Sequence, residues 1–229
     1  MISSPDKRLI AEAVVVVSSI LFAFAIDAAW DQRQARESER AILRGLESEL
    51  QADIRAIAAS RDSTAQTYDR LTYFLGATRS ELLEMSPPTA EREVFAPLSR
   101  QWGQAMPTGA LDAATGSGDL AVISDPELRV ALARLASVHA GVKEMTAVID
   151  EMDARTVAIL GEFEGVQKLF TMSEPGLDAT TLASLRADPR IMGAATAKLW
   201  FTGGYLSQLD LLEATITETL ELISGVLDD

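Results

Sequence analysis

The sequence predicts an all-α protein, an N-terminal transmembrane helix continuing into an elongated antiparallel bundle of three long helices plus short helices. Three observations predict it. Residues 9–30 form one apolar stretch, and apolar side chains further along recur at steps of three and four. The eight prolines stand at positions 5, 87, 88, 97, 107, 126, 175 and 189, which leaves three long stretches free of the residue that breaks helices.

From Leu9 to Trp30 the chain reads LIAEAVVVVSSILFAFAIDAAW, and no charged residue lies between Ala13 and Ile26. At the rise of an α-helix this stretch reaches about 33 Å, one hydrocarbon thickness. The chain therefore divides into a short tail (1–8), a transmembrane helix (9–30) and a bundle domain (31–229). Glu12 and Asp27 fall near the two interfaces, Lys7 and Arg8 precede the span, and Trp30 closes it at headgroup level. Glu12 follows Arg8 by one turn, the spacing at which the two side chains pair. Ser19 with Ala23, and Ala25 with Ala29, have the small-xxx-small spacing that admits a neighbouring membrane helix. Ala23-Phe24-Ala25 also has the small-x-small form of a leader cleavage site, so a removed signal peptide is the rival reading. For sidedness, Arg33, Arg36, Arg40 and Arg44 outnumber Lys7 and Arg8, which by count alone puts the domain in the cytoplasm. A short basic tail before an apolar span is equally the form of a signal anchor. The preferred placement is N-terminus inside and bundle in the periplasm, anchored in a bacterial inner membrane.

Beyond Trp30 no proline occurs until Pro87, and Leu46, Leu50, Ile54, Ile57, Thr64, Tyr68, Leu71 and Leu75 share one helical stripe. The second stretch is opened by Asp125, suited to an N-cap, and Pro126, suited to the first helical position. It carries a packed seam at Val142, Met145, Ile149, Met152, Thr156, Ile159, Phe163, Val166 and Phe170. The third opens at Asp188-Pro189 and runs to Leu227, with Gly203-Gly204 as a predicted bend. The rods Trp30–Leu75, Pro126–Phe170 and Pro189–Leu227 would measure about 70, 67 and 58 Å, so they pack side by side. If the first leaves the membrane, the second returns and the third leaves again. Segment 76–125 would then cap the distal end, with a short helix around Glu91–Trp102 and a turn at Gly116-Ser117-Gly118, while the 171–188 turn would lie near the bilayer.

Chemistry is scarce. There is no cysteine and one histidine, His139, which excludes thiolate chemistry, a serine triad and two-histidine metal sites within one chain. The formal net charge of −14 sets up a field that repels nucleic acid. Glu144, Asp150, Glu151, Asp153, Glu162 and Glu164 flank the second seam and read as a solvated face. Arg33, Arg36, Arg40 and Arg44 form a basic stripe just outside the span. Headgroup contact or an acidic partner would suit it, and so would pairing with Glu37, Glu39 and Glu47 on the same helix. Gly116, Gly118, Asp125, Pro126 and Arg129 read as a structural turn and cap, with Arg129 as a partner for Asp119 or Glu127. No catalytic residue, cofactor site or metal site is predicted.

The span ending AIDAAW, the arginine- and glutamate-rich helix after it, and the run Gly116-Ser117-Gly118-Asp119-Leu120-Ala121-Val122-Ile123-Ser124-Asp125-Pro126-Glu127-Leu128-Arg129 carry a resemblance. In these features the chain resembles a family of uncharacterised bacterial single-pass inner-membrane proteins. The likeness is loose over most of the chain, and it implies an N-terminal anchor helix and a helical extracytoplasmic domain, with no assigned activity. The expectation is a non-enzymatic accessory subunit whose partners are the lipid bilayer, other membrane protein subunits and, in addition, a second copy of the chain. The alternative is a sensory or ligand-binding helical bundle.

Overall fold

The computed structural model describes residues 4–99, 111, 119–171 and 177–228, and 92 % of it is helical, with no strand. The chain is all-α in these residues. Helix α1 (Ser4–Gly76) is a single element of 73 residues. It is followed by α2 (Arg79–Leu83), then α3 (Pro87–Ala90), which passes through a π-helical turn (Glu91–Phe95) into α4 (Ala96–Ser99). A 3-10 turn (Asp119–Val122) precedes α5 (Pro126–Leu160), α6 (Glu164–Phe170), α7 (Ala179–Ala187) and α8 (Pro189–Asp228).

Each long helix is buried along one strict seam. In α1 the buried residues are Glu39, Leu43, Leu46, Leu50, Asp53, Ile57, Ser60, Thr64, Thr67, Leu71 and Phe74. Their steps alternate four and three without exception. In α5 the series is Leu128, Leu132, Leu135, His139, Val142, half-buried Thr146, Ile149, Asp153, Thr156 and Leu160. In α8 it is Ile191, Ala195, Lys198, Thr202, Tyr205, Leu209, Leu212, Ile216, Thr219 and Ile223, with Thr215 also buried beside Ile216. A repeat of 3.5 residues maintained over ten positions is the pattern of a coiled coil, and it keeps three helices in register along their whole length.

Cross-helix contacts fix the directions. Arg61 on α1 bonds Asp210 at 2.6 Å and also Glu213 on α8. Nearer the start of α1, Glu39 shares a cleft with Val226, near the end of α8. These two helices therefore run antiparallel. Arg134 near the start of α5 reaches Glu218, and Asp153 near its end meets Lys198, so α5 and α8 are antiparallel too. It follows that α1 and α5 are parallel, as Glu39 bonding Ser124 just before α5 requires. The expected out, back and out again sequence of three antiparallel rods is corrected by these contacts. Rod lengths decide that helices lie side by side but not their direction; that depends on how far the connection after α1 travels.

The ends are corrected with it. Leu71 and Phe74 of α1 pack with Leu82, Val94, Leu98, Leu160, Val166, Leu182 and Ile191 in one apolar cluster. Arg186 of α7 donates to the Leu75 carbonyl at 3.0 Å. The region of α6 and α7 thus sits at the far end beside α2–α4, and not near the start of the bundle. A second cluster, containing Leu43, Leu46, Leu111, Ile123, Leu128, Leu209, Ile216 and Ile223, fills the rest. Leu111 and Ile123 belong to this second cluster, so only the first part of 76–125 is a cap.

Two helix boundaries also differ from expectation. The second long helix ends at Leu160, because Gly161 closes it with its N–H on the Val157 and Ile159 carbonyls and Phe163 is extended. The chain must turn there for α6 to reach α7: a Cβ on Gly165 would lie 1.9 Å from the Thr181 hydroxyl. Gly203-Gly204 does not interrupt α8. A Cβ on Gly203 would lie 3.3 Å from the Tyr68 ring and one on Gly204 3.8 Å from Met145, so the pair lets α1 and α5 approach closely. Phe170 and the part of the predicted short helix from residue 100 onward fall, in side chain or entirely, outside the described residues.

Candidate functional site

Every described side chain from Val15 to Ser38 is exposed, and the first buried residue of α1 is Glu39. Val15, Val16, Val17, Ile20, Leu21, Phe22, Phe24 and Ile26 all lie bare, and Trp30 is 67 % exposed. Contiguous apolar surface of this extent is rare on soluble proteins and marks a site that meets lipid or another protein. This N-terminal helix is long and apolar enough to span a membrane. Inside it, the Ser19 hydroxyl donates to the Val15 carbonyl at 2.8 Å, within its own helix. The boundary residues Glu12, Asp27 and Trp30 are exposed on this helix, while the side chains of Lys7 and Arg8 lie outside the described residues.

The arginine stripe follows. Arg33 pairs with Glu37 at 3.1 Å. Glu39 does not pair with an arginine; it turns inward and accepts from the Ser124 N–H at 2.6 Å and the Ser124 hydroxyl at 2.9 Å. Among the described residues Arg36, Arg40 and Arg44 have no ion pair, so of the intrahelical pairs expected for the stripe only Arg33–Glu37 forms. Arg36 and Arg40 border an open cleft of about 410 Å³ with Glu39, Ser124, Asp125 and Val226. Asp125 is the N-cap of α5, accepting from Glu127 N–H at 2.7 Å and Leu128 N–H at 3.0 Å, with Pro126 at the first helical position. Arg129 donates to the Ile123 carbonyl at 3.2 Å, fastening the 3-10 turn to α5 instead of serving Glu127. Gly116 and Gly118 lie outside the described residues.

A second polar feature lies inside the bundle. Asp153, expected on the solvated face, is buried on the α5 seam and bonds the buried Lys198 of α8. Burial raises the Asp153 pKa against the pull of Lys198, and burial lowers that of Lys198 against the pull of Asp153. Asp153 Oδ2 has no hydrogen-bond partner. On α1, Asp53 is 1 % exposed and its Oδ1 accepts no bond. Burial, and secondarily the Glu49 carboxylate one turn earlier, raise its pKa to about 7. Steps of three and four admit Asp53 as well as Ile54, Asp153 as well as Met152, and Lys198 as well as Leu199, and hydrophobicity favours the second of each pair although the first is the buried one.

The other predicted face residues are exposed: Glu151 pairs with Arg155, Glu162 with Arg190 and Glu164 with Lys168. His139 is a buried seam residue of α5. Among the described residues, no three His, Asp or Glu side chains converge in a way that could hold a metal ion. No family model, curated protein or solved structure matches the chain.

Proposed function

We propose that this chain is a non-enzymatic, membrane-anchored accessory subunit. One helix fixes it in a bacterial inner membrane, and the periplasmic bundle docks to or stabilises a larger respiratory, photosynthetic or transport complex. The loose likeness to bacterial single-pass proteins belongs to the same proposal. The observation that carries it is the continuity of α1, whose bare apolar part and heptad seam form one unbroken helix of 73 residues. Such a rod transmits position: Glu39 stands about 13 Å beyond Trp30, and Gly76 about 69 Å beyond it. A rigid stalk of this kind suits a spacer or clamp on a neighbouring complex.

The test is recovery of the full chain from native membranes in mild detergent. Resistance to an alkaline carbonate wash and migration on native gels with stoichiometric membrane subunits are expected. Extraction by carbonate alone, or a monomer with no companion, overturns the reading. The buried, incompletely bonded carboxylates favour a second reading as a sensory bundle, in which a ligand or proton repacks the seam. A small-molecule thermal-shift screen that finds no stabilising compound counts against it.

A further inference from the structure

We propose that the cleft bordered by Arg36 and Arg40 binds the phosphate of an anionic phospholipid at the base of the bundle. The proposal rests on the membrane reading above and adds the chemistry of the lipid.

The two arginines follow Trp30 at about 9 and 15 Å along the helix axis, and both are exposed on the side facing the open cleft. With Trp30 at headgroup depth, the Arg36 side chain reaches back to the phosphate layer, and Arg40 holds the outer part of the headgroup. A guanidinium presents a planar fork of donors that matches phosphate oxygens.

Neither carboxylate in the cleft forms an ion pair with these forks, and each accepts from the start of α5 instead. Glu39 is occupied by the Ser124 N–H and hydroxyl, and Asp125 by two N–H groups of the first turn of α5. Arg33 differs, being paired with Glu37. The sequence around the stripe thus holds enough acid to neutralise it, and the fold draws Glu39 inward so that two arginines remain available beside the bilayer. The lining sets two arginines beside two carboxylates and is locally neutral in a chain of net charge −14; what it offers an anion is the pair of guanidinium forks that no carboxylate engages.

The experiment uses the full chain with Trp102→Phe and Trp200→Phe, leaving Trp30 as its sole tryptophan, reconstituted in nanodiscs. Quenching of Trp30 is compared for brominated phosphatidylglycerol and brominated phosphatidylcholine. The expected result is a preference for phosphatidylglycerol of about fivefold, the scale of one basic residue at an anionic surface. Arg36→Gln/Arg40→Gln should abolish the preference and leave quenching by phosphatidylcholine unchanged, while Arg36→Lys/Arg40→Lys should retain part of it. Equal quenching by the two lipids in the parent protein, or a preference that survives the glutamine variant, overturns the proposal and leaves the anchor standing. Absence of quenching by either lipid overturns the anchor itself. Loss of the phosphatidylglycerol preference on addition of millimolar free glycerol phosphate replaces the lipid by a soluble phosphate ester as the ligand. Mass spectrometry of lipid retained on the purified chain, enriched in phosphatidylglycerol only when both arginines are present, provides the check that needs no tryptophan replacement.

Discussion

Replacing Asp53 by asparagine should make the bundle more stable at pH 8 than the parent protein, and much less so at pH 5. The native carboxyl has its pKa raised to about 7 from 3.8, chiefly by burial. A group whose folded pKa is higher than its unfolded pKa holds its proton more tightly in the fold. Its stabilising effect is complete below about pH 4 and is lost as the pH climbs through the folded value. Integrating between pH 5 and pH 8 gives about 3 kcal/mol of stability lost by this one group. Asparagine has nearly the same shape and cannot ionise, so it escapes that loss.

The assay is urea unfolding of the full chain in detergent micelles, followed by circular dichroism for Asp53→Asn and the parent at both pH values. Comparing the two proteins at two pH values cancels every other titrating group, including Asp178 and Asp188, whose pKa values are lowered by hydrogen bonds from Thr181 and Arg190. The difference in unfolding free energy between variant and parent should grow by about 3 kcal/mol from pH 5 to pH 8. An unchanged difference would refute the reasoning, because it would mean that Asp53 is ionised in the fold and compensated by a partner.

Four further outcomes are expected. Lys198→Met leaves the Asp153 carboxylate buried without its cation and should cost about 3–5 kcal/mol, whereas Lys198→Met with Asp153→Leu should recover most of it, as measured by chemical denaturation. Gly165→Ala forces a Cβ into Thr181 and should destabilise the protein by about 1–3 kcal/mol. Gly45→Ala, on a helix face with nothing within 4 Å, should stabilise it by about 1 kcal/mol, both read as shifts in the unfolding midpoint. Finally, the chain is free of cysteine, so Glu39→Cys/Ser124→Cys should be joined by a short bis-maleimide. Failure to cross-link under conditions where each cysteine is singly labelled would return α5 to the opposite direction.

The all-α class and the three long helices were legible because leucine and isoleucine periodicity and proline placement report directly on helix faces and ends. Asp125 was legible as a cap for a similarly local reason. The polar half of the seams was legible only at Thr64 and Thr156. Reading by hydrophobicity selected Ile54 and Tyr68 on α1, which are half-buried and 37 % exposed, and passed over Ser60 and Thr67, which lie on the seam. Threonine enters the seam at little cost because its hydroxyl bonds back within its own helix. Thr67 donates to Ser63, Thr156 to Met152, Thr202 to Lys198 and Thr219 to Thr215, so no partner across the interface is needed. Asp153 and Lys198 enter as a pair, and neither alone predicts the other 45 residues away. The cleft at Arg36 and Arg40 was legible only as a stripe, since the inward turn of Glu39 depends on Ser124 arriving from 85 residues later.

The parallel course of α1 and α5 gives these details a common consequence. Because α5 begins beside Glu39, the end of the bundle next to the apolar part of α1 is assembled from three separate parts of the chain: the middle of α1, the start of α5 and the end of α8. Glu39 ties the first two, and Val226 closes over them. The far end joins α1, α5, α6, α7 and the start of α8 in a second apolar cluster. Neither end can loosen without disturbing a seam shared by all three rods. Polar residues on those seams specify one register, since sliding α8 by one heptad would separate Lys198 from Asp153 and place two buried charges against apolar neighbours. A bundle locked in this way holds its distal cap at a fixed distance and rotation from the apolar N-terminal part of α1. That is a mechanical property, and it is the property that a docking subunit requires.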